Sequence, residues 1–113
     1  MKIPAEGQLL RIFIGEQDKW HSQPLYEVII HLAKKEGMAG ATAIKGFMGF
    51  GCKSRMHTAK LLRLSEDLPI IIEIVDSAEK INGFLPHLDE MVKEGLITLE
   101  KVHVIMYRAN PVT

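Results

Sequence analysis

The stretch PIIIEIVDS, residues 69–77, decides how the rest of the chain is read. A β-branched run opened by a proline and closed by a polar pair marks a strand over Pro69 to Val75. Its alternation puts Ile70, Ile72 and Ile74 on one side and Ile71, Glu73 and Val75 on the other. The first side is wholly apolar and so faces a packed layer. The second carries a charge at its middle. Asp76 or Ser77 then caps a helix whose stripe is Ile81, Phe84, Leu85, Leu88, Met91 and Val92. Pro86 removes one backbone bond from that helix, so a bend is expected near Asn82 and Gly83, and Gly95 ends it.

Upstream, LLRIFI at 9–14 reads as a first strand ended by Gly15, with Leu10, Ile12 and Ile14 on the side to be packed. Ser22 is expected to cap a helix with Pro24 in its first turn, because Leu25, Val28, Ile29, Leu32 and Ala33 recur at helical spacing before Gly37. A second strand is expected over Ala41 to Met48 and a fourth over Thr98 to Tyr107. The order βαββαβ predicts an α+β, ferredoxin-like fold over residues 1–113 as one domain. It places two helices on one face of a four-stranded antiparallel sheet, with the third strand between the first and second.

The opposite face is then expected to hold Leu9, Arg11 and Phe13, Ala43, Lys45 and Phe47, Ile71, Glu73 and Val75, and Lys101, His103, Ile105 and Tyr107. Glu73 would sit within reach of Arg11 and Lys45 in cross-strand pairs. A half-apolar face of this size points to an interface between copies, with Arg11, Lys45, Glu73 and His103 as candidate contact residues. A solvated sheet with scattered hydrophobics is the bland alternative.

Composition sets the class. In 113 residues, 25% charged and 47% hydrophobic, the chain has room for one core. Fourteen Lys and Arg balance fourteen Asp and Glu, so no global charge draws it to nucleic acid or an anionic membrane. The opening MKIPAEGQLLRIFIGE meets Arg11 and Glu16 before any long apolar run, and no run is long enough for membrane insertion; a cytoplasmic location is expected. Cys52 is the single cysteine, in keeping with a reducing compartment.

Chemistry concentrates in few places. The stretch KGFMGFGCKSRMHT at 45–58 comes close to a P-loop, but Cys52 stands where the lysine belongs and no long helix follows. From Lys53 to Arg63 lie Lys53, Arg55, His57, Lys60 and Arg63 without an acid, a local basic patch suited to an anionic ligand or an acidic partner surface, or else simply solvated. Cys52 beside Lys53 is chemically able to act as a nucleophile, although a lone cysteine is usually incidental. The histidines show no ligand spacing, so no metal is expected; His31 and His87 read as helix-surface residues. Trp20 and His21, next to Glu16 in the polar segment GEQDKWHSQP, are candidate cleft or partner contacts, the alternative being that Trp20 covers a helix end.

These residues resemble the PII signal-protein superfamily, and its uncharacterised PII-like branch in particular. The resemblance runs through Lys45-Gly46-Phe47, Gly49-Phe50-Gly51, His57-Thr58 and Ile72-Glu73-Ile74-Val75, and covers nearly the whole chain. It implies a homotrimer with a loop over about 49–64 that signals to a partner such as a transporter, channel or enzyme. It also implies a small-molecule effector, a nucleotide among the candidates, in the cleft between subunits at Gly49, Phe50 and Gly51, with Lys53, Arg55, His57 and Lys101 contributing. The chain departs from the PII pattern where EGLITLEKV replaces a Gly-Asp-Gly-Lys turn and where only Arg108 follows the last strand, which points to an effector smaller or less charged than ATP. A small ferredoxin-like enzyme using His57 or His21 as base, or a ligand-free structural trimer, are the competing readings.

Overall fold

The computed structural model describes residues 5–51 and 67–109. In chain order the elements are β1 (Glu6–Gly15), a small hairpin of β2 (Lys19–Trp20) and β3 (Gln23–Pro24), α1 (Leu25–Lys35), β4 (Ala41–Lys45), β5 (Pro69–Asp76), α2 (Ala78–Met91) and β6 (Leu96–His103). The four long strands form an antiparallel sheet in the order β4-β5-β1-β6. This is the ferredoxin-like α+β arrangement, with the third long strand between the first and second.

The alternation anticipated in β1 and β5 is what builds the core. Leu10, Ile12 and Ile14 pair with Ile74, Ile72 and Ile70, and all six are buried against Leu25, Ile29 and Ala33 of α1 and Ile81, Phe84, Leu88 and Met91 of α2. The intervals of three and four between these helical residues keep each set on one face. Asp76, 2% exposed, is the buried carboxylate of the described core: it accepts from the amides of Ala39 (2.9 Å) and Ser77 (2.7 Å), joining the segment before β4 to the start of α2.

The helix ends show which signals operate. Ser77 caps α2 by accepting from the Lys80 amide at 3.2 Å. The helix runs through Pro86, which sits on its exposed side, and ends at Met91, earlier than Gly95. Ser22 does not cap α1. It lies with His21 in the β2–β3 turn at φ +70° and +49°, and Pro24 precedes the helix without a side-chain cap. Two successive positive φ values mark the tight hairpin turn normally given to Asn-Gly, and no glycine here announced it. Gly37 closes α1 at φ +77°: its amide bonds the Lys34 carbonyl while that of Met38 bonds the Ala33 carbonyl. Lys80 adds its ammonium to the Gly37 carbonyl at 2.7 Å.

Two outer strands depart from expectation by one residue of phase. In β4, Thr42 stands opposite Glu73 and Lys45 opposite Ile70, so Thr42 and Ile44 share the open face while Ala43 and Lys45 do not. In β6, Thr98 stands opposite Arg11 and Glu100 opposite Leu9, whereas Lys101 and His103 pair with Gln8 and Glu6 on the helix side. Such a slip turns every side chain over. The strands are also shorter than predicted: Phe47 follows β4 and is 90% exposed, and Ile105 and Tyr107 follow β6. Ile97 and Leu99, on the helix side of β6, remain 37% and 41% exposed because the helices leave this edge largely uncovered. No helix of the described residues is long and apolar enough to cross a membrane.

Candidate functional site

At one end of the sheet, β1 finishes at Gly15, β5 begins at Pro69, β6 begins at Leu96, and the chain leaves β4 toward Phe50. Antiparallel pairing makes these termini converge. They enclose a cleft of about 410 Å³, walled by Phe13, Pro69 and Leu96 and by Phe50 and Gly51. Asp18, Asp67 and Glu94 add carboxylates to the wall.

Close backbone approach shapes this end. The Gly46 amide donates to the Pro69 carbonyl at 2.8 Å, and a Cβ at Gly46 would stand 2.8 Å from the Pro69 ring. At Gly95 a Cβ would stand 2.7 Å from the Phe13 carbonyl oxygen, and at Gly15 it would collide with the Asp67 carboxylate. Asp67 accepts from the Gln17 amide (2.8 Å), Asp18 from the Gly15 amide (3.0 Å), and the Glu16 amide reaches the Leu68 carbonyl (2.8 Å). The loop after β1 is thus fastened to the residues that lead into β5. Glu16 also pairs with Lys45, Oε2 to Nζ, at 2.9 Å.

Of the expected binding residues, Phe50 and Gly51 line this cleft and Gly49 lies beside it, 3.2 Å from the Pro69 ring by its virtual Cβ. Lys101 does not join them: it stands opposite Gln8, toward the other end of β1. Lys53, Arg55 and His57, and with them Cys52 and most of the loop over 49–64, lie outside the described residues. Trp20 packs on the core and stacks with His21 at 4.2 Å between ring centroids, with the Lys93 ammonium 6.0 Å above its ring. Trp20 therefore has a packing role in the hairpin, and neither it nor His21 lines the cleft.

Sequence reading missed Asp18, Asp67 and Glu94. No motif marks them; the signal was positional, since each precedes or follows a strand terminus that the topology brings to the same end.

On the open face, Arg11 holds two carboxylates. Its Nε donates to Glu73 Oε2 directly across the pair and its Nη1 to Glu100 Oε1 on the diagonal, both at 2.9 Å. The hydrogen bond to Glu73 raises the guanidinium pKa above its ordinary value, Glu100 adds to this, and desolvation opposes it. Arg11 stays charged at any working pH. Lys45 and His103, expected beside this cluster, are not part of it: β4 and β6 carry them on the other side of the sheet. A shallower cleft of about 350 Å³ lies toward the far end of this face, between Leu9, Glu73 and Thr42 and the segment Val104–Tyr107. Tyr107 closes it by donating to the Ala39 carbonyl at 3.3 Å.

The DUF190 family model, described as an uncharacterized ACR, matches residues 7–104. A UPF0166 protein of Aquifex aeolicus (strain VF5) is 39% identical over 101 residues, 89% of this chain and 95% of that one. A UPF0166 protein of Methanocaldococcus jannaschii is 40% identical over 100 residues, 88% of this chain and 92% of that one. Among solved structures, a protein from Thermus thermophilus described as PII-like and assigned to signaling superposes with a TM-score of 0.64 at 19% identity, covering 89% of this chain and 91% of that one. CPII from Thiomonas intermedia, in a structure bound to ADP and bicarbonate, superposes with a TM-score of 0.56 at 20% identity, covering 88% of each chain. At these identities the structural likeness shows a shared fold.

Proposed function

The chain belongs to the DUF190 family, and on that premise we propose that it is a non-enzymatic regulatory protein that binds a small anionic effector at the cleft beneath Phe50 and Gly51. The observation that carries this reading is the convergence of strand termini and the loop leaving β4 on one cavity, so that occupancy of the cavity bears directly on the loop. ADP and bicarbonate, the molecules bound to CPII, are the first candidates. The described wall is acidic, so in this reading the positive charge needed by an anion falls to Lys53, Arg55 and His57 or to a second subunit. The proposed assembly is a trimer of one-domain subunits, formed through the open face around Arg11 and Glu73, and the proposed target is a partner protein met by the loop. A cytoplasmic location belongs to the same reading.

A thermal-shift screen of ADP, AMP, ATP, bicarbonate and phosphate tests it. A bound effector at a hundredfold its Kd stabilises by about 2.7 kcal/mol. Phe50→Ala removes a side chain that is 77% exposed, so the free protein should melt unchanged while the ligand shift is lost. A shift that survives in Phe50→Ala puts the effector elsewhere. Turnover of any of these compounds would replace the regulatory reading by the enzymatic one.

A further inference from the structure

The cleft of about 350 Å³ at the far end of the open face is within the size range of small-molecule sites. Leu9 and Val75, paired across β1 and β5, line it, and Val104 and Met106 face them from the segment that Tyr107 fastens to the Ala39 carbonyl. Two polar side chains stand together in its wall: Thr42 and Glu73 are direct partners across β4 and β5. Glu73 gives Oε2 to Arg11 at 2.9 Å, while its Oε1 and the Thr42 hydroxyl have no hydrogen-bond partner among the described residues. Arg11 does not line the cleft, so the charge presented to a guest is the carboxylate.

We propose that this cleft binds a small organic cation, a primary ammonium on an apolar body. The ammonium donates to Glu73 Oε1 and to the Thr42 hydroxyl oxygen, and the body lies against Leu9, Val75, Val104 and Met106. Arg11 holds the carboxylate by one oxygen, which orients the other without consuming it. Other guests fit this wall less well. An anion meets the Glu73 charge. A hydrocarbon covers the carboxylate without giving it a partner, and a metal ion needs more oxygen ligands than one carboxylate and one hydroxyl supply. The site does not depend on the effector reading, whose cleft lies at the other end of the sheet and is assigned the opposite charge preference.

Three probes of one shape separate these cases: phenethylamine, phenethyl alcohol and phenylacetate, each titrated while amide chemical shifts are followed by NMR. Phenethylamine should move Gly40, Thr42 and Met106 and should bind roughly tenfold tighter than the alcohol, the margin of a charge-assisted over a neutral hydrogen bond. Phenylacetate should leave those amides still. Glu73→Gln keeps an acceptor for Arg11 and removes the charge, so it should weaken the amine roughly tenfold and leave the alcohol as it was. Thr42→Val, of nearly the same shape, should weaken the amine several-fold; circular dichroism checks that both variants are folded. The proposal is overturned if the alcohol binds as tightly as the amine, if Glu73→Gln leaves the amine unaffected, or if the amine moves the amides of Phe50 and Gly51 instead. It is equally overturned if about 10 mM amine moves nothing, since a site weaker than this offers no recognition. Failure of ADP or bicarbonate to bind near Phe50 has no bearing on it.

Discussion

Lys45 and Glu16 form an ion pair of 2.9 Å at the point where the chain leaves β4, and this pair, unlike the expected Lys45–Glu73 pair, ties the second long strand to the loop after the first. Both side chains are partly solvated, 52% and 32% exposed, so the contribution to global stability is small. A double-mutant cycle of Lys45→Met and Glu16→Gln should give a coupling of about 0.2–1 kcal/mol. Coupling with Glu73 in the same experiment should be absent; if it exceeds the coupling with Glu16, the β4 register is wrong.

Asp76 presents a different balance. Its buried oxygens take two amide protons from separate segments, and Asp76→Ala leaves both donors without that acceptor. A loss of about 2–4 kcal/mol follows in urea denaturation, with Asp76→Asn costing less because one carbonyl oxygen remains. Equal losses in the two variants would show that the charge, and not the two bonds, matters.

Ser22 should reward substitution. At φ +70° a residue with a Cβ is strained and glycine is not, so Ser22→Gly is expected to raise stability by about 1 kcal/mol, read as a shift of the thermal midpoint. A fall in the midpoint would mean that the hairpin turn has another geometry.

Gly95 links fold and cleft. A methyl group there must push against the Phe13 carbonyl oxygen, at 2.7 Å, which costs about 1–3 kcal/mol, and Gly95 is itself part of the cleft wall, so the shift it forces reaches the proposed binding site. Gly95→Ala should therefore lower both the melting temperature and the ligand-induced shift, whereas Gly83→Ala, on the exposed side of α2 with open space around its Cβ, should stabilise or leave both unchanged.

The central strands were legible because both of their sides are specified. Ile70, Ile72 and Ile74 admit one orientation against the helices, and Arg11 with Glu73 follows from it. The outer strands were not. In ATAIK and LITLEKVH neither alternate set is purely apolar, and the helices cover them little, so no burial pattern fixed which side faces inward; both were placed one residue out of phase. Phe50 and Gly51 were singled out by the resemblance to the PII superfamily, and they stand on the cleft wall. The carboxylates of the cleft wall required knowing which strand ends meet, information that lies in topology and not in any local run.

The strand order also fixes a schedule for synthesis. β1 pairs with β5 and β6, and not with the β4 strand made before them, so its Leu10, Ile12 and Ile14 have no strand beside them until the ribosome has released residues near 70. Loop closure over that separation slows the search, and the apolar first strand stays open to the wrong neighbour meanwhile. Nascent chains halted just after residue 66 should therefore engage chaperones, and chains extended past β5 should let them go.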